Sequence, residues 1–186
     1  MNQKVLRSFL MRAERAARSA GEKILAVANS IGEVTDKSDG SPVTRADRAA
    51  HNTIMPQLEA LSPRFPIISE EGDVTVSQEA PPITYWLVDP LDGTKEFIKG
   101  LDDYTVNIAL VHEGKPILGV VFLPATGVLY TACLHQGAWR TDARGECTPI
   151  HAATDAKTDR PGTAVVSRSH LSPETTKFLQ ALGISN

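Results

Sequence analysis

Between Val5 and about Ala28 the apolar residues Leu6, Leu10, Ala13 and Ala17 return every three or four positions, and Ile24 and Leu25 resume the same face two turns later. That period predicts a helix with one buried face, which Gly21 weakens in its middle. From Ser30 to Pro42 the chain is polar, with Gly32, Lys37, Asp39 and Gly40, and reads as a loop. A second helical period opens in SPVTRADRAAHNTIMPQLEAL, where Thr44 is a candidate cap and Asp47, three residues on, answers it as in a capping box. Pro56 is expected to kink or end this helix.

The pattern then shortens to strands. After the turn residues Ser62, Pro63 and Pro66, Ile67 and Ile68 form a short strand that delivers SEEG at its end, and Asp73 to Pro82 reads as a surface loop. TYWLV is a strand, DPLDGT its terminal turn, and Thr94 to Ile98 a short helix. YTVNIALV, PILGVVFLP, VLYTAC and GAWRT follow, separated by the turn signals HEGK, PATG and HQG, which predicts consecutive antiparallel hairpins. Asp142 to Pro161 is polar and irregular, a candidate boundary. TAVVS reads as one more strand and SPETTKFLQALG as a helix, with Ser172 as cap, Pro173 at its first position and Gly183 past its end. The class is α+β. An N-terminal domain spans 1–160, and 161–186 look like the first unit of a second, incomplete α/β domain, because a lone strand cannot bury both its faces.

Composition removes several classes of function. The 186 residues carry a net charge of -3, so there is no basic footprint for a nucleic acid polymer. Only two cysteines occur, Cys133 and Cys147, without zinc-type spacing, and both read as reduced thiols. The arginine-interrupted N-terminus suits neither a signal peptide nor a membrane span. A cytoplasmic location is the expectation, and peripheral membrane contact is compatible with it. The histidines at 51, 112, 135, 151 and 170 do not cluster and read as surface or packing residues.

The chemistry concentrates in acidic strand ends. Glu70 and Glu71 close one strand, while Asp89 and Asp92 flank Pro90 after another. If those strands are neighbours, the carboxylates emerge at one edge, and two of them about 4 Å apart repel by roughly 4 kcal/mol at an effective dielectric near 20. Lys95 and Lys99 lie close in sequence but do not have the spacing to serve them all. A hard divalent cation does so better, since Mg²⁺ takes oxygen ligands and is typically shared with substrate phosphate. Pro90 stiffens the segment and leaves the Leu91 carbonyl free as a further oxygen. Gly93 and Thr94 open the short helix, where free backbone N–H groups favour a phosphate. Metal and phosphate cradle side by side suggest metal-assisted phosphate hydrolysis.

Taken together, Thr44 to Asp47 in SPVTRAD, then SEEG, then WLVDPLDGTKEF resemble the inositol monophosphatase family of magnesium-dependent, lithium-sensitive phosphatases. The likeness covers essentially the whole chain. The continuation KEF, TVNIALVHEGKPILGVV and VVSRSH look most like its bacterial 3'(2'),5'-bisphosphate nucleotidase branch. This resemblance implies a layered α/β/α/β sugar-phosphatase fold and a phosphorylated nucleotide substrate, adenosine 3',5'-bisphosphate, left over from sulfate assimilation. It also implies that Glu70, Asp89 and the Leu91 carbonyl bind a first Mg²⁺, and that Asp89 and Asp92 share in a second. Glu70, Asp47 and Thr94 would be the catalytic residues. Asp47 and Thr94 would orient the attacking water, and Glu70 and the Gly93 and Thr94 amides would face the phosphate. The family carries a further Trp-Asp motif whose aspartate binds the second metal. No Trp-Asp pair occurs here, so a truncated C-terminal domain and weak or absent turnover are expected.

Two rivals are weaker. A haloacid-dehalogenase-type phosphatase would attack phosphorus with the first aspartate of D-x-D-G-T, but here the aspartates are three apart and mid-chain. The spacing around Gly93 is wrong for an EF-hand. A non-catalytic module that binds the cation or a nucleotide is the alternative from a different class, and another sugar phosphatase of the inositol monophosphatase type is the alternative within the resemblance.

Overall fold

The computed structural model describes residues 2–28, 34–36, 42–72, 82–152, 164–167 and 171–184. They form two compact units, Met1–Ile150 and His151–Asn186. The first helix, α1 (Gln3–Ala28), buries Leu6, Phe9, Leu10, Ala13, Ala16, Ala17, Ala20 and Ile24. Its small alanines let it lie close on a sheet, and Gly21 has a steric reason to be there. A Cβ at residue 21 would collide with the ring edge of Phe122, while the Arg18 guanidinium stacks 5.4 Å from the centroid of the same ring.

The polar segment expected to be a loop, Ser30 to Pro42, contains one short strand and the first residue of another. β1 (Val34–Asp36) pairs antiparallel with β2 (Pro42–Thr44), and residues 37–41 between them lie outside the described set. The Thr44 side chain and the loop expected over 73–81 also lie outside it. Directly after β2 comes α2 (Arg45–Glu59), with Ala46, Ala50, Ile54 and Leu58 buried at four-residue steps. Of the two outcomes expected at Pro56, a kink or an end, the end does not occur, because α2 runs through it. Both Pro56 and Asn52, whose carbonyl loses its helical partner, are exposed, so water can satisfy that carbonyl.

Seven strands build one sheet in chain order: β3 (Ile67–Ser69), β4 (Thr84–Asp92), β5 (Thr105–His112), β6 (Lys115–Leu123), β7 (Val128–Cys133), β8 (Gly137–Thr141) and β9 (Cys147–Ile150). Only β3 and β4 run parallel, and the rest is the expected antiparallel meander. Trp86, Val88, Val106, Ile108, Leu110, Leu118, Val120, Phe122 and Leu129 belong to the same buried core as α1 and α2. Phe9 anchors it, with its ring 5.7 Å from Trp86 and 6.1 Å from Phe65.

Three expectations need correction. The DPLD segment is no turn after a strand: β4 runs through it to Asp92. The irregular stretch after Asp142 contains β9, reached by a turn in which the Asp142 carboxylate accepts from the Arg144 and Glu146 amides, both at 2.9 Å. Residues 164–167, expected as a strand, are not one. In the second unit, α4 (Pro173–Ala181) forms as its caps predict. Ser172 Oγ accepts from the Thr175 amide at 3.1 Å, and Gly183 takes a φ of 71° just beyond the end. Among the described residues no helix is long and apolar enough to cross a membrane.

Candidate active site

Parallel pairing of β3 with β4 sets Ser69 opposite Val88, and the Glu70 amide donates to the Val88 carbonyl at 3.1 Å. Glu70 therefore leaves its strand beside Asp89. The next step depends on a bulge. Asp89 lies opposite Asn107 and Asp92 opposite Thr105, so β4 spends three residue steps where β5 spends two. In a regular strand, side chains three apart point to opposite faces. The extra residue cancels that inversion and turns Asp89 and Asp92 to the same side, leaving Leu91 in the core at 1% exposure.

The electrostatics follow from this placement. The Asp89 carboxyl is pushed up to about 7 by burial first, then by the charges of Glu70 and Asp92 and a hydrogen bond with Glu70; the Leu91 amide partly offsets this by donating to it. Asp89 Oδ1 is buried without a hydrogen-bond partner among the described residues. Asp92 is exposed, and its Oδ2 accepts from Asn107 Nδ2 at 3.2 Å. The Asn107 amide is oriented by Thr105, whose hydroxyl donates to Asn107 Oδ1 at 3.0 Å.

Gly93 and Thr94 follow immediately. Gly93 takes a φ of 89°, and a Cβ there would come within 2.7 Å of the Asp103 carbonyl oxygen, so both the backbone and the space demand glycine. α3 (Thr94–Ile98) begins there without a side-chain cap. The packing of Phe97 edge-on against Tyr104, ring centroids 5.2 Å apart, holds it to the start of β5. Thr94 Oγ1 donates to the Leu91 carbonyl at 3.0 Å. Asp47, the third residue of α2, is buried at 2% exposure. One turn further on, His51 Nδ1 lies 2.9 Å from Ser69 Oγ, which ties this face of α2 to the end of β3.

Of the residues singled out from sequence, Glu70, Asp89 and Asp92 are thus electrostatic neighbours, and Leu91, Gly93 and Thr94 are contiguous with them. Among the described residues no three His, Cys, Asp or Glu side chains close into a cluster that could hold a metal ion. Asp89 is instead the shared neighbour, bonded to Glu70 on one side while Asp92 is turned to Asn107. The donor set nonetheless fits a hard cation in kind: it is all oxygen, and the buried Asp89 Oδ1 lacks any other partner among the described residues. Sequence reasoning missed Thr105, Asn107, His51 and Ser69. The alternation of polar and apolar positions in TVNIALV was the available signal for Thr105 and Asn107. Nothing local signalled the pairing of His51 with Ser69.

A seven-stranded sheet with α1 and α2 packed in its core and paired acidic strand ends at one edge defines the class. The family model described as the inositol monophosphatase family matches residues 5–184, and the chain belongs to that family. It is 45% identical over 169 residues to the 3'(2'),5'-bisphosphate nucleotidase CysQ of Escherichia coli (strain K12), covering 90% of this chain and 66% of that protein. The nucleotidase CysQ of Buchnera aphidicola is 39% identical over 180 residues, again with 66% of its length covered. Among solved structures, CysQ from Bacteroides thetaiotaomicron, a bacterial member of the family, superposes with a TM-score of 0.70 at 35% identity, covering 94% of this chain and 68% of that one. The chain thus spans 66% of the length of these curated relatives.

Proposed function

We propose that the chain carries the acidic and phosphate-facing part of a Mg²⁺-dependent phosphatase that removes the 3'-phosphate of adenosine 3',5'-bisphosphate, yielding AMP and phosphate. The observation that carries this reading is the β4 bulge, which turns Asp89 and Asp92 to one side, next to Glu70. The nucleotidase relatives supply the substrate class.

Glu70, Asp89, Asp92 and the Leu91 carbonyl are the oxygens that would hold Mg²⁺. When bound, the cation neutralises phosphate charge and lowers the pKa of an attacking water. Thr94 commits its own hydroxyl proton to the Leu91 carbonyl, so toward a water its Oγ1 can only accept. That fixes which way the water presents its proton. Asp47 supplies a second acceptor for the same water from α2. The Gly93 and Thr94 amides, where β4 passes into α3, would face the phosphate oxygens.

Calorimetric titration with Mg²⁺, with and without adenosine 3',5'-bisphosphate, tests this alongside a phosphate-release assay. Asp92→Asn is expected to weaken Mg²⁺ binding and nearly abolish release. Unchanged magnesium dependence in that variant would overturn the assignment. Binding of both ligands with no release at all would favour the non-catalytic alternative.

A further inference from the structure

The contact between His51 and Ser69 is not explained by packing alone. Ser69 is a polar residue at 7% exposure, and a buried hydroxyl needs a partner. The partner comes from another element: His51 Nδ1 on α2, 2.9 Å from Ser69 Oγ. Either ring tautomer can make this bond, with the hydroxyl donating to a bare Nδ1 or accepting from Nδ1–H. Each end of the bond sits beside a group of the candidate site. Asp47 is four residues before His51 on the same helix, so both project from one face. Ser69 directly precedes Glu70, and its carbonyl accepts from the Gly72 amide at 3.1 Å, closing the turn that carries the glutamates.

We propose that His51 is a positioning residue: its bond to Ser69 holds the Glu70 turn in register with the Asp47 face of α2. The strand that leads into the Glu70 turn, β3, is three residues long and lies at the sheet edge, paired with β4 alone, so a side-chain tie from α2 adds to its support. This rests on the reading of Glu70 and Asp47 as members of one Mg²⁺-dependent site. Removal of such a supporting partner commonly weakens metal binding by 10-fold or more.

The test uses the full chain and Mg²⁺ alone. His51→Ala and Ser69→Ala are each expected to weaken Mg²⁺ binding about 10-fold by calorimetry, and the double variant no more than either single one. His51→Asn, whose amide reaches the place of Nδ1, restores binding, whereas His51→Gln, which mimics only Nε2, does not. Amide hydrogen exchange at Glu70 and Gly72 speeds up in His51→Ala, whether or not Mg²⁺ is present. Unchanged exchange at those two amides overturns the proposal, as does unchanged Mg²⁺ affinity in His51→Ala. Equal rescue by Asn and Gln also overturns it, because space-filling would then suffice. If the parent chain binds no Mg²⁺, the metal reading fails and this role for His51 with it, even if the exchange result stands.

Discussion

From Thr84 to Val88, β4 is an ordinary central strand: it pairs with β3 on one edge and β5 on the other and sends Trp86 and Val88 into the core. From Asp89 to Asp92 the same strand breaks register and gathers carboxylates around a buried oxygen with no hydrogen-bond partner among the described residues. The first half stabilises the fold by removing apolar surface from water. The second half costs stability, because a buried carboxylate with like charges beside it is held against its preference for water. A strand that folds well at one end and at a cost at the other is what the proposed cation site would need, since a bound cation would offset that cost.

The sharpest way to break this comparison is to damage the first half. Trp86→Ala removes a fully buried side chain and is expected to cost about 3–5 kcal/mol, measured by chemical denaturation. A loss below about 1 kcal/mol would show that this half does not anchor the sheet. Next in size is Gly93→Ala, where a positive φ and the Asp103 carbonyl both oppose a Cβ. It should cost about 1–3 kcal/mol, and Mg²⁺-dependent stabilisation should shrink with it.

Asp89→Asn is expected to act in the opposite direction. In EDTA at pH 8 it should raise Tm, on the order of 2–4 °C for a gain near 1 kcal/mol, while abolishing any stabilisation by Mg²⁺. A lower Tm in EDTA would mean that the carboxylate is not strained. The gentlest test is pH. Because the Asp89 carboxyl is raised from its ordinary 3.8 to about 7, the folded state binds a proton there more tightly than the unfolded chain. Its contribution is fully present below the ordinary value and is lost as pH rises through about 7. In EDTA, thermal stability should therefore fall between about pH 4 and 7, the interval between the ordinary and the raised value, Mg²⁺ should flatten the fall, and Asp89→Asn should lack it.

Much of this molecule was legible in its residues. The helical period of α1, the turn signals between β5 and β8, and the caps of α4 are local signals, because helices and hairpins join residues near one another in sequence. The acidic candidates stood out for a similar reason: Glu70 and Glu71, like Asp89 and Asp92, are adjacent or nearly so, at the ends of apolar runs. What misled was also local. DPLDGT has the composition of a turn, yet pairing with β5 draws Asp89 and Asp92 into the ladder.

The amino-acid pattern by itself therefore determined α1, α2, α4 and the hairpin strands β5 to β8, and it singled out the oxygens that a hard cation or a phosphate could take. It could not say that Asp89 and Asp92, three apart, would face the same way. That depends on a register shift against β5, a property of two strands and not of one. Nor could it pair His51 with Ser69 or Asn107 with Asp92, which lie eighteen and fifteen residues apart in sequence and meet only across packed elements. Contacts of that kind are decided by tertiary structure, because long-range pairing is set by how whole faces bury against each other and leaves no periodic trace in the chain.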